Sequence, residues 1–374
     1  MIWLLRLLLA ATFRLDDEPV FSGQDRVAIA LAPARTWRRA IDELQLHRMF
    51  PLIASAVDRH GLAQSVPADL LKQLHLARDD AAQRTRNNMA AFGRLLDAAR
   101  HENLQPLVLK STALVAMVGP RLLAHPMNDI DLYVFPQQMS AIQRLVEQMG
   151  FVQRRPGADA LNYVHPDDPC EFDVHHAFRL FSSYDLHDLI VSVPTAIDGL
   201  ESIYAFEPNA MLVHLACHMN EHRSNNGYQL RWLHDLAIVL QYYHSQFDMQ
   251  RIDELLPDRR SLCWLLRLVG FLHGEIRLPM PPALRDAAQG IPPITLGEVL
   301  RSLRPATWPL CELRGWVRMA TFRMTWNSGV RRTYPRLRDL LAWPADTLRQ
   351  RRALAATPHK LVDSPRQGVT SASR

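Results

Sequence analysis

The order of apolar and polar positions divides the chain into three regions. From residue 1 to about residue 103, apolar residues recur at helical spacing, as Trp37, Ile41 and Leu44 do. Short apolar runs then alternate with helical patterns up to about residue 200, after which helical patterns return. This order predicts an α+β protein, in which a small mixed sheet is flanked by N- and C-terminal helical regions.

The middle region has the order strand, helix, strand, helix and further strands. The run Pro106–Leu109 is short, apolar and bounded by a proline, which is typical of a buried strand. A helix is predicted over Ser111–Val118, a strand over Asp129–Phe135 and an amphipathic helix over Gln137–Met149. Three more strands are predicted at Phe151–Arg155, Leu161–His165 and Cys170–Ala177.

The same patterns suggest domain boundaries. We expect a helical region at 1–104, the mixed-sheet core at 105–200 and a second helical domain at 201–290. Helices are predicted there at 210–220, 228–244, 252–256 and 262–273, and a proline-rich break follows them. Residues 291–363 are expected to form a helical appendage rich in arginine and tryptophan, and 364–374 a disordered tail.

Composition narrows the class of protein. With 374 residues, 48% apolar and 22% charged, the chain is neither wholly disordered nor a disulfide mini-protein. Its four cysteines include no C-x-x-C pair, which favours a reducing compartment, and we expect the cytoplasm. The apolar segment 1–13 is shorter than the ~20 residues of a spanning helix, so we expect no integral membrane association.

Two carboxylates lie on one face of the strand predicted at 129–135. Side chains alternate along a strand, so Asp129 and Asp131 share a face while Ile130 and Leu132 point into the core. Neighbouring carboxylates repel each other unless a cation lies between them. Mg²⁺ prefers a few carboxylate oxygens and shares its other positions with water and phosphate. The pair is therefore a candidate metal site.

The strand at 170–177 carries a candidate third carboxylate. Asp173 shares a face with Glu171 and His175, while Phe172 and Val174 share the other face. If this strand lies beside the first, Asp173 completes a cluster able to hold two Mg²⁺ or Mn²⁺ ions. Two ions about 3.5–4 Å apart clamp the attacking and leaving oxygens of a phosphoryl displacement.

A candidate phosphate-binding turn precedes both strands. Lys110 and Ser111 lie where the first strand runs into a helix. A helix start presents unbonded N–H groups and a positive dipole end to an anion. The lysine adds a charge and the serine a hydroxyl, so the turn could hold a triphosphate.

With these motifs, residues 36–250 resemble the bacterial family of uncharacterised nucleotidyltransferases, a branch of the polymerase-beta-like superfamily. The resemblance is carried by the segments Leu109-Lys110-Ser111, Asn128–Leu132, Gly150-Phe151, Phe172–His175, Met211–His218 and Leu230–Leu236. It implies that Asp129 and Asp131 bind metal, that Asp173 is the third carboxylate, and that Lys110 and Ser111 contact phosphate.

The activity implied by the resemblance is a Mg²⁺- or Mn²⁺-dependent transfer of a nucleoside monophosphate from ATP or another NTP. The acceptor would carry a hydroxyl and could be a protein, peptide, small molecule or RNA, and pyrophosphate would be released. Two positions depart from the family pattern: Ser111 where glycine is usual, and His125 where arginine is common. These departures keep open an alternative, in which the protein binds a nucleotide or a partner but catalyses no nucleotide transfer.

Two other patterns have competing interpretations. His214, His218 and His222 lie on one helical face, and with His234-Asp235 they suggest a metal-dependent phosphohydrolase. Buried, neutral histidines at a helix–domain interface are the favoured explanation. The arginine- and tryptophan-rich segment 301–352 could bind nucleic acid or an anionic membrane, but a solvated helical appendage is favoured.

Overall fold

The structure is a computed structural model of the chain. It describes residues 1–302 apart from 17, 19, 157, 158, 179, 198, 227 and 228. The arginine- and tryptophan-rich segment and the predicted disordered tail lie outside the described residues, except for the beginning of the predicted appendage at 291–302. The domain boundaries drawn above therefore stay predictions.

The N-terminal region is helical, as its apolar spacing predicts. The first helix is almost wholly apolar, and it packs against the third, fourth and ninth helices of the chain. Its buried leucines explain why an apolar N-terminal segment occurs in this fold. The helices are α1 (Ile2–Phe13), α2 (Gly23–Ala30), α3 (Ala34–Leu46), α4 (Phe50–Arg59) and the long α5 (Ala68–His101).

A seven-stranded mixed sheet forms the centre of the described chain, which confirms the predicted α+β class. Its order is β3-β4-β5-β2-β1-β7-β6, in which β2–β5 and β1–β7 are parallel and the other pairs antiparallel. The strands are β1 (Leu107–Val108), β2 (Ile130–Tyr133), β3 (Val152–Pro156), β4 (Ala160–Val164), β5 (Glu171–His175), β6 (Ile190–Pro194) and β7 (Ser202–Phe206). Helices α6 (Lys110–Val118) and α7 (Met139–Gln148) connect the first three of them.

The pairing of β2 with β5 brings the two acidic strands together. Asp131 lies directly beside Asp173 in the parallel register, and the flanking pairs are Ile130 with Phe172 and Leu132 with Val174. The apolar side chains of these flanking pairs are all buried. Burial of one face fixes this register, because a slip by one residue would move the apolar set to the opposite face.

The strands β6 and β7 were not predicted from the sequence. Both are five residues long, and β6 lies at the sheet edge, ends in Pro194 and has an exposed Val191. Such a strand shows little apolar alternation, because an edge position buries only part of it. Its place depends on β7, which pairs with β1 about a hundred residues earlier in the chain.

Helices return after the sheet, as predicted. They are α8 (Pro208–Asn226), α9 (Leu230–Tyr242), α10 (Met249–Leu255), α11 (Arg259–Gly274), α12 (Pro282–Ala287) and α13 (Leu296–Ser302). The segment predicted as a proline-rich break contains α12 and is followed by α13, which corrects that prediction. Pro282 occupies the first position of α12, where its missing N–H costs nothing and its fixed φ suits a helix.

Two structural facts concern the helices and the cysteines of the chain. Within the described range, none of the helices has both the length and the apolar character needed to cross a bilayer. Cys170, Cys217 and Cys263 are free thiols, and Cys311 lies outside that range.

Gly119 at the end of α6 supplies a test of the fold. Its φ of 71° lies in the left-handed region, and a Cβ there would come within 2.6 Å of Ala196 Cβ. We expect Gly119→Ala to lower the free energy of unfolding by about 2–4 kcal/mol, through backbone strain and this overlap. Urea unfolding of the full chain measures the change.

Gly93→Ala is the matched control for Gly119→Ala. Gly93 lies inside α5 without a positive φ, and nothing lies within 4 Å of its added Cβ. Alanine there should raise the free energy of unfolding by about 0.5–1 kcal/mol, because it favours the helix. Equal effects of the two substitutions would contradict the strained geometry of Gly119.

Candidate active site

Two carboxylates and one imidazole meet on the polar face of β2 and β5. A carboxylate oxygen of Asp131, one of Asp173 and a ring nitrogen of His175 all lie within 4.8 Å of one another. Asp131 is only 4% exposed. Asp129, which directly precedes β2, is not a member of this group. The structure thus brings Asp131 and Asp173 together most closely and leaves Asp129 beside them.

Lys110 neutralises the buried Asp131. Its Nζ donates to Asp131 Oδ1 at 2.6 Å, and the lysine side chain is 16% exposed. The residue has a φ of 49°, a left-handed conformation that is unusual for lysine and directs the chain from β1 into α6. The Leu109 N–H donates to the Asp131 carbonyl, and the Asp131 N–H donates to Thr112 Oγ1, so α6 is fastened to β2 around this lysine.

His175 lies between the two strand carboxylates, and sequence reasoning gave it no role. Its Nε2 is 3.3 Å from Asp131 Oδ1 and 3.4 Å from Asp173 Oδ2. Its position two residues after Asp173, on the same face of β5, was the available signal. Lys110 supplies positive charge to the acidic cluster, and the His175 ring nitrogen lies within reach of both strand carboxylates.

Burial and mutual repulsion shift the pKa values of the carboxylates in different directions. Burial first, and then the charge of Asp131, raise the pKa of Asp129 to about 6. Burial also acts to raise the pKa of Asp131, but Lys110 and His175 outweigh it, and that pKa lies well below its usual range. Burial raises the pKa of Asp173 although His175 opposes the shift. Asp131 is therefore firmly ionised, whereas Asp129 and Asp173 hold protons more readily.

Ser111 does not point into the acidic cluster. Its hydroxyl donates to Asp235 Oδ2 at 3.3 Å, across to helix α9. His125 Nε2 lies 2.5 Å from the other oxygen, Asp235 Oδ1, and the imidazole is fully buried. Both departures from the family pattern therefore contact one carboxylate of the C-terminal helical region.

The histidine-rich helix α8 is partly buried: His214 belongs to the core, whereas His218 is half-buried. Burial lowers the pKa of His214 and that of His234 to about 3, so both rings are neutral. Asp235 is 3% exposed, and the group formed by His125, His234 and Asp235 is buried throughout. A phosphate ester cannot reach these groups in this structure, which argues against the phosphohydrolase. The His222 side chain lies outside the described part.

The acidic cluster suits a hard divalent cation. Asp129, Asp131 and Asp173 offer carboxylate oxygens, the donors that Mg²⁺ and Mn²⁺ prefer. The Asp129 carboxylate accepts no hydrogen bond and forms no ion pair with any residue in the described part of the chain. Burying a carboxylate without a partner is costly, so this group is poised to bind a cation.

The free-energy cost of the Asp129 charge can be tested by measuring the stability of the folded protein. Because folding raises its pKa from about 3.9 to about 6, the folded state loses stability as the pH rises through this interval. Asp129→Asn removes the charge, and we expect it to raise the free energy of unfolding by about 1–3 kcal/mol at pH 8 in EDTA. The gain should shrink towards pH 4.5, as urea titrations at both values would show.

The control for Asp129→Asn is Asp167→Asn, at an exposed position between β4 and β5. It should leave the free energy of unfolding within about 0.5 kcal/mol of the original. A loss of stability in Asp129→Asn at pH 8 would contradict the electrostatic account of the site.

The contact of His125 with Asp235 gives a second stability test. His125→Ala leaves a buried carboxylate short of a partner and opens a cavity, so we expect a loss of about 2–4 kcal/mol in the free energy of unfolding. Denaturation followed by circular dichroism measures it. His244→Ala, at an exposed histidine after α9, should change little, and equal losses would show that the buried contact contributes nothing.

Comparison with known proteins identifies the family. The family model described as "Uncharacterised nucleotidyltransferase" matches residues 33–272, which is more than half of the chain. No curated protein matches the sequence.

Solved structures of nucleotidyltransferases are also similar, at low identity. The antibiotic-resistance factor ANT(2'')-Ia shares 14% identity, with 47% of this chain and 93% of that chain covered and a TM-score of 0.37. An antigenic nucleotidyltransferase-like protein from Paracoccidioides brasiliensis shares 13%, with 55% and 97% covered and a TM-score of 0.34. The family match over residues 33–272 carries the assignment: the chain belongs to the family of uncharacterised nucleotidyltransferases.

Proposed function

We propose that the protein transfers a nucleoside monophosphate from an NTP to a hydroxyl-bearing acceptor and releases pyrophosphate. The observation that carries this proposal is the pairing of Asp131 with Asp173 across β2 and β5, with Asp129 and Lys110 beside them. The reaction would depend on Mg²⁺ or Mn²⁺ and would take place in the cytoplasm, where NTPs are available.

The three carboxylates would hold the divalent cations. Asp129 and Asp131 would bind both ions, and Asp173 would bind the ion nearest the acceptor. A divalent cation held by these residues would neutralise phosphate charge and lower the pKa of the acceptor hydroxyl. Asp173 would also receive the hydroxyl proton.

The bonds changed in the reaction follow from this arrangement. The acceptor oxygen forms a bond to the α-phosphorus, and its proton passes to Asp173. The bond from the α-phosphorus to the oxygen that bridges it to the β-phosphorus breaks, and pyrophosphate leaves with that electron pair. The contribution of the protein is largely positioning and charge stabilisation.

Lys110 and Ser111 would contribute to phosphate binding in different ways. The Lys110 ammonium would leave Asp131 Oδ1 when a divalent cation binds there, and its flexible chain can then reach phosphate oxygens. The Ser111 hydroxyl is directed to Asp235, so Ser111 would act through its backbone N–H in the first turn of α6.

The acceptor class is left open between protein, peptide, small molecule and RNA, as is the preferred base. The alternative is a family member that binds nucleotide or a partner but transfers no nucleotide. The contacts of the two residues that depart from the family pattern weaken this alternative. Ser111 and His125 both contact Asp235 and leave the three carboxylates unchanged. The experiment below separates these alternatives.

The test uses the full chain with each of the four NTPs labelled at the α-phosphate. Protein, RNA and small-molecule fractions of a cell extract serve as acceptors, and label transfer and pyrophosphate release are both measured. With Mg²⁺ we expect transfer that falls at least about 10³-fold in Asp129→Ala and in Asp131→Ala.

Asp167→Asn, which removes an exposed acid near β5, should keep full activity in the same assay. Undiminished labelling in an Asp129→Ala/Asp131→Ala protein would disprove the assignment of the site. Suppose that calorimetry detects binding of Mg²⁺-NTP but that no fraction releases pyrophosphate. This result would favour the alternative, in which the protein binds nucleotide without transferring it.

A further inference from the structure

Two arginines from outside the mixed sheet lie beside the acidic cluster. Arg48 belongs to the turn between α3 and α4, and Arg231 to the first turn of α9. A hydrogen bond joins these segments, because the Leu230 N–H donates to His47 Nδ1 at 3.3 Å. Each arginine directly follows one partner of this bond, so Arg48 and Arg231 lie on neighbouring segments of the chain.

The loop that leads into β2 holds Arg231 towards the metal-binding carboxylates. Arg231 Nη1 donates to the Pro126 carbonyl at 3.1 Å, and Pro126 precedes Asp129 by three residues. The Nε of Arg231 is buried and has no hydrogen-bond acceptor within the described residues. A guanidinium with a buried, unpaired donor is costly, which points to an acceptor supplied by a ligand.

Arg48 is fixed by its backbone and stays accessible. Its φ of 57° is left-handed, which a non-glycine residue adopts only where the surrounding structure determines it. The residue is exposed, so a ligand can reach its side chain. The backbone of this turn is therefore well defined, and the Arg48 side chain extends from it towards solvent.

The two arginines share one electrostatic environment with Asp129. Desolvation and then the positive charge of Arg231 lower the pKa of Arg48, whereas Asp129 raises it. No carboxylate in the described ranges forms an ion pair with either arginine. Two neighbouring positive charges without an ion-paired carboxylate favour a multiply charged anion.

We propose that Arg48 and Arg231 form a polyphosphate-binding site that receives the β- and γ-phosphates of the NTP and then the pyrophosphate. That the ligand is the polyphosphate of an NTP rests on the proposed function, whereas the anion site rests on the contacts of the arginines. Guanidinium groups suit this ligand because each offers paired N–H donors that match two phosphate oxygens.

The residues that the sequence assigns to phosphate binding, Lys110 and Ser111, already have protein partners in the structure. The Lys110 ammonium is bound to Asp131, and the Ser111 hydroxyl is bound to Asp235. The α6 turn therefore presents few free charges to a triphosphate, whose terminal phosphates carry most of its charge. The arginine pair supplies two permanent positive charges beside Asp129.

The test measures the affinity of the full chain for inorganic tripolyphosphate and pyrophosphate by calorimetry, first in EDTA and then with Mg²⁺. We expect Arg48→Gln and Arg231→Gln each to weaken binding in EDTA at least about 10-fold, the effect of losing one charge-assisted contact. Arg48→Lys keeps the charge but loses the paired donors. Its affinity for the polyphosphates should lie between those of the original protein and Arg48→Gln.

Arg35→Gln is the matched control, since Arg35 is an exposed arginine of the same helical region, in α3. It should bind tripolyphosphate as tightly as the original protein. Urea unfolding of each variant checks that Arg231→Gln still folds after losing its contact with Pro126, and Arg48→Gln gives an independent result.

Two outcomes would overturn the proposal: no binding of either polyphosphate by the original protein, or unchanged affinity in both glutamine variants. Neither outcome depends on transfer. A chain that binds tripolyphosphate in EDTA but transfers nothing would refute the proposed function and leave the arginine site intact.

Discussion

The parallel pairing of β2 with β5 determines the rest of the site. It places the ionised Asp131 in register with Asp173, in a position from which water is almost excluded. Like charges at this distance repel each other, and the free energy of folding must absorb the cost. The fold reduces the cost with Lys110, which a left-handed turn brings onto Asp131, and with His175 from β5 itself.

A second buried carboxylate connects this site to the helical region that follows the sheet. Asp235 on α9 binds the Ser111 hydroxyl at the start of α6 and the imidazole of His125 before β2. The two positions at which the chain departs from the family pattern therefore share one partner.

The periodicity of apolar residues was sufficient to predict the elements whose structure depends on the local sequence. The strands β1 to β5, and the common face of Asp131 and the β5 residue Asp173, follow from side chains that alternate around buried apolar residues. The hairpin of β6 and β7 was missed because its place depends on a pairing with β1 that is distant in sequence. His175, Arg48 and Arg231 were missed for the same reason: each acquires its significance from a neighbour on another element.

The sheet and the helical regions supply opposite charges to the site. The strands supply carboxylates, whose repulsion limits how many can be buried together. The compensating arginines come from the α3–α4 turn and from α9, which the His47 contact with Leu230 fastens to each other. Both the carboxylates and the arginines include a polar group without a partner. Asp129 forms no ion pair with a described residue, and the buried Nε of Arg231 has no hydrogen-bond acceptor among those residues. A metal-bound polyphosphate would satisfy both at once, because it presents positive charge to the acids and phosphate oxygens to the arginines.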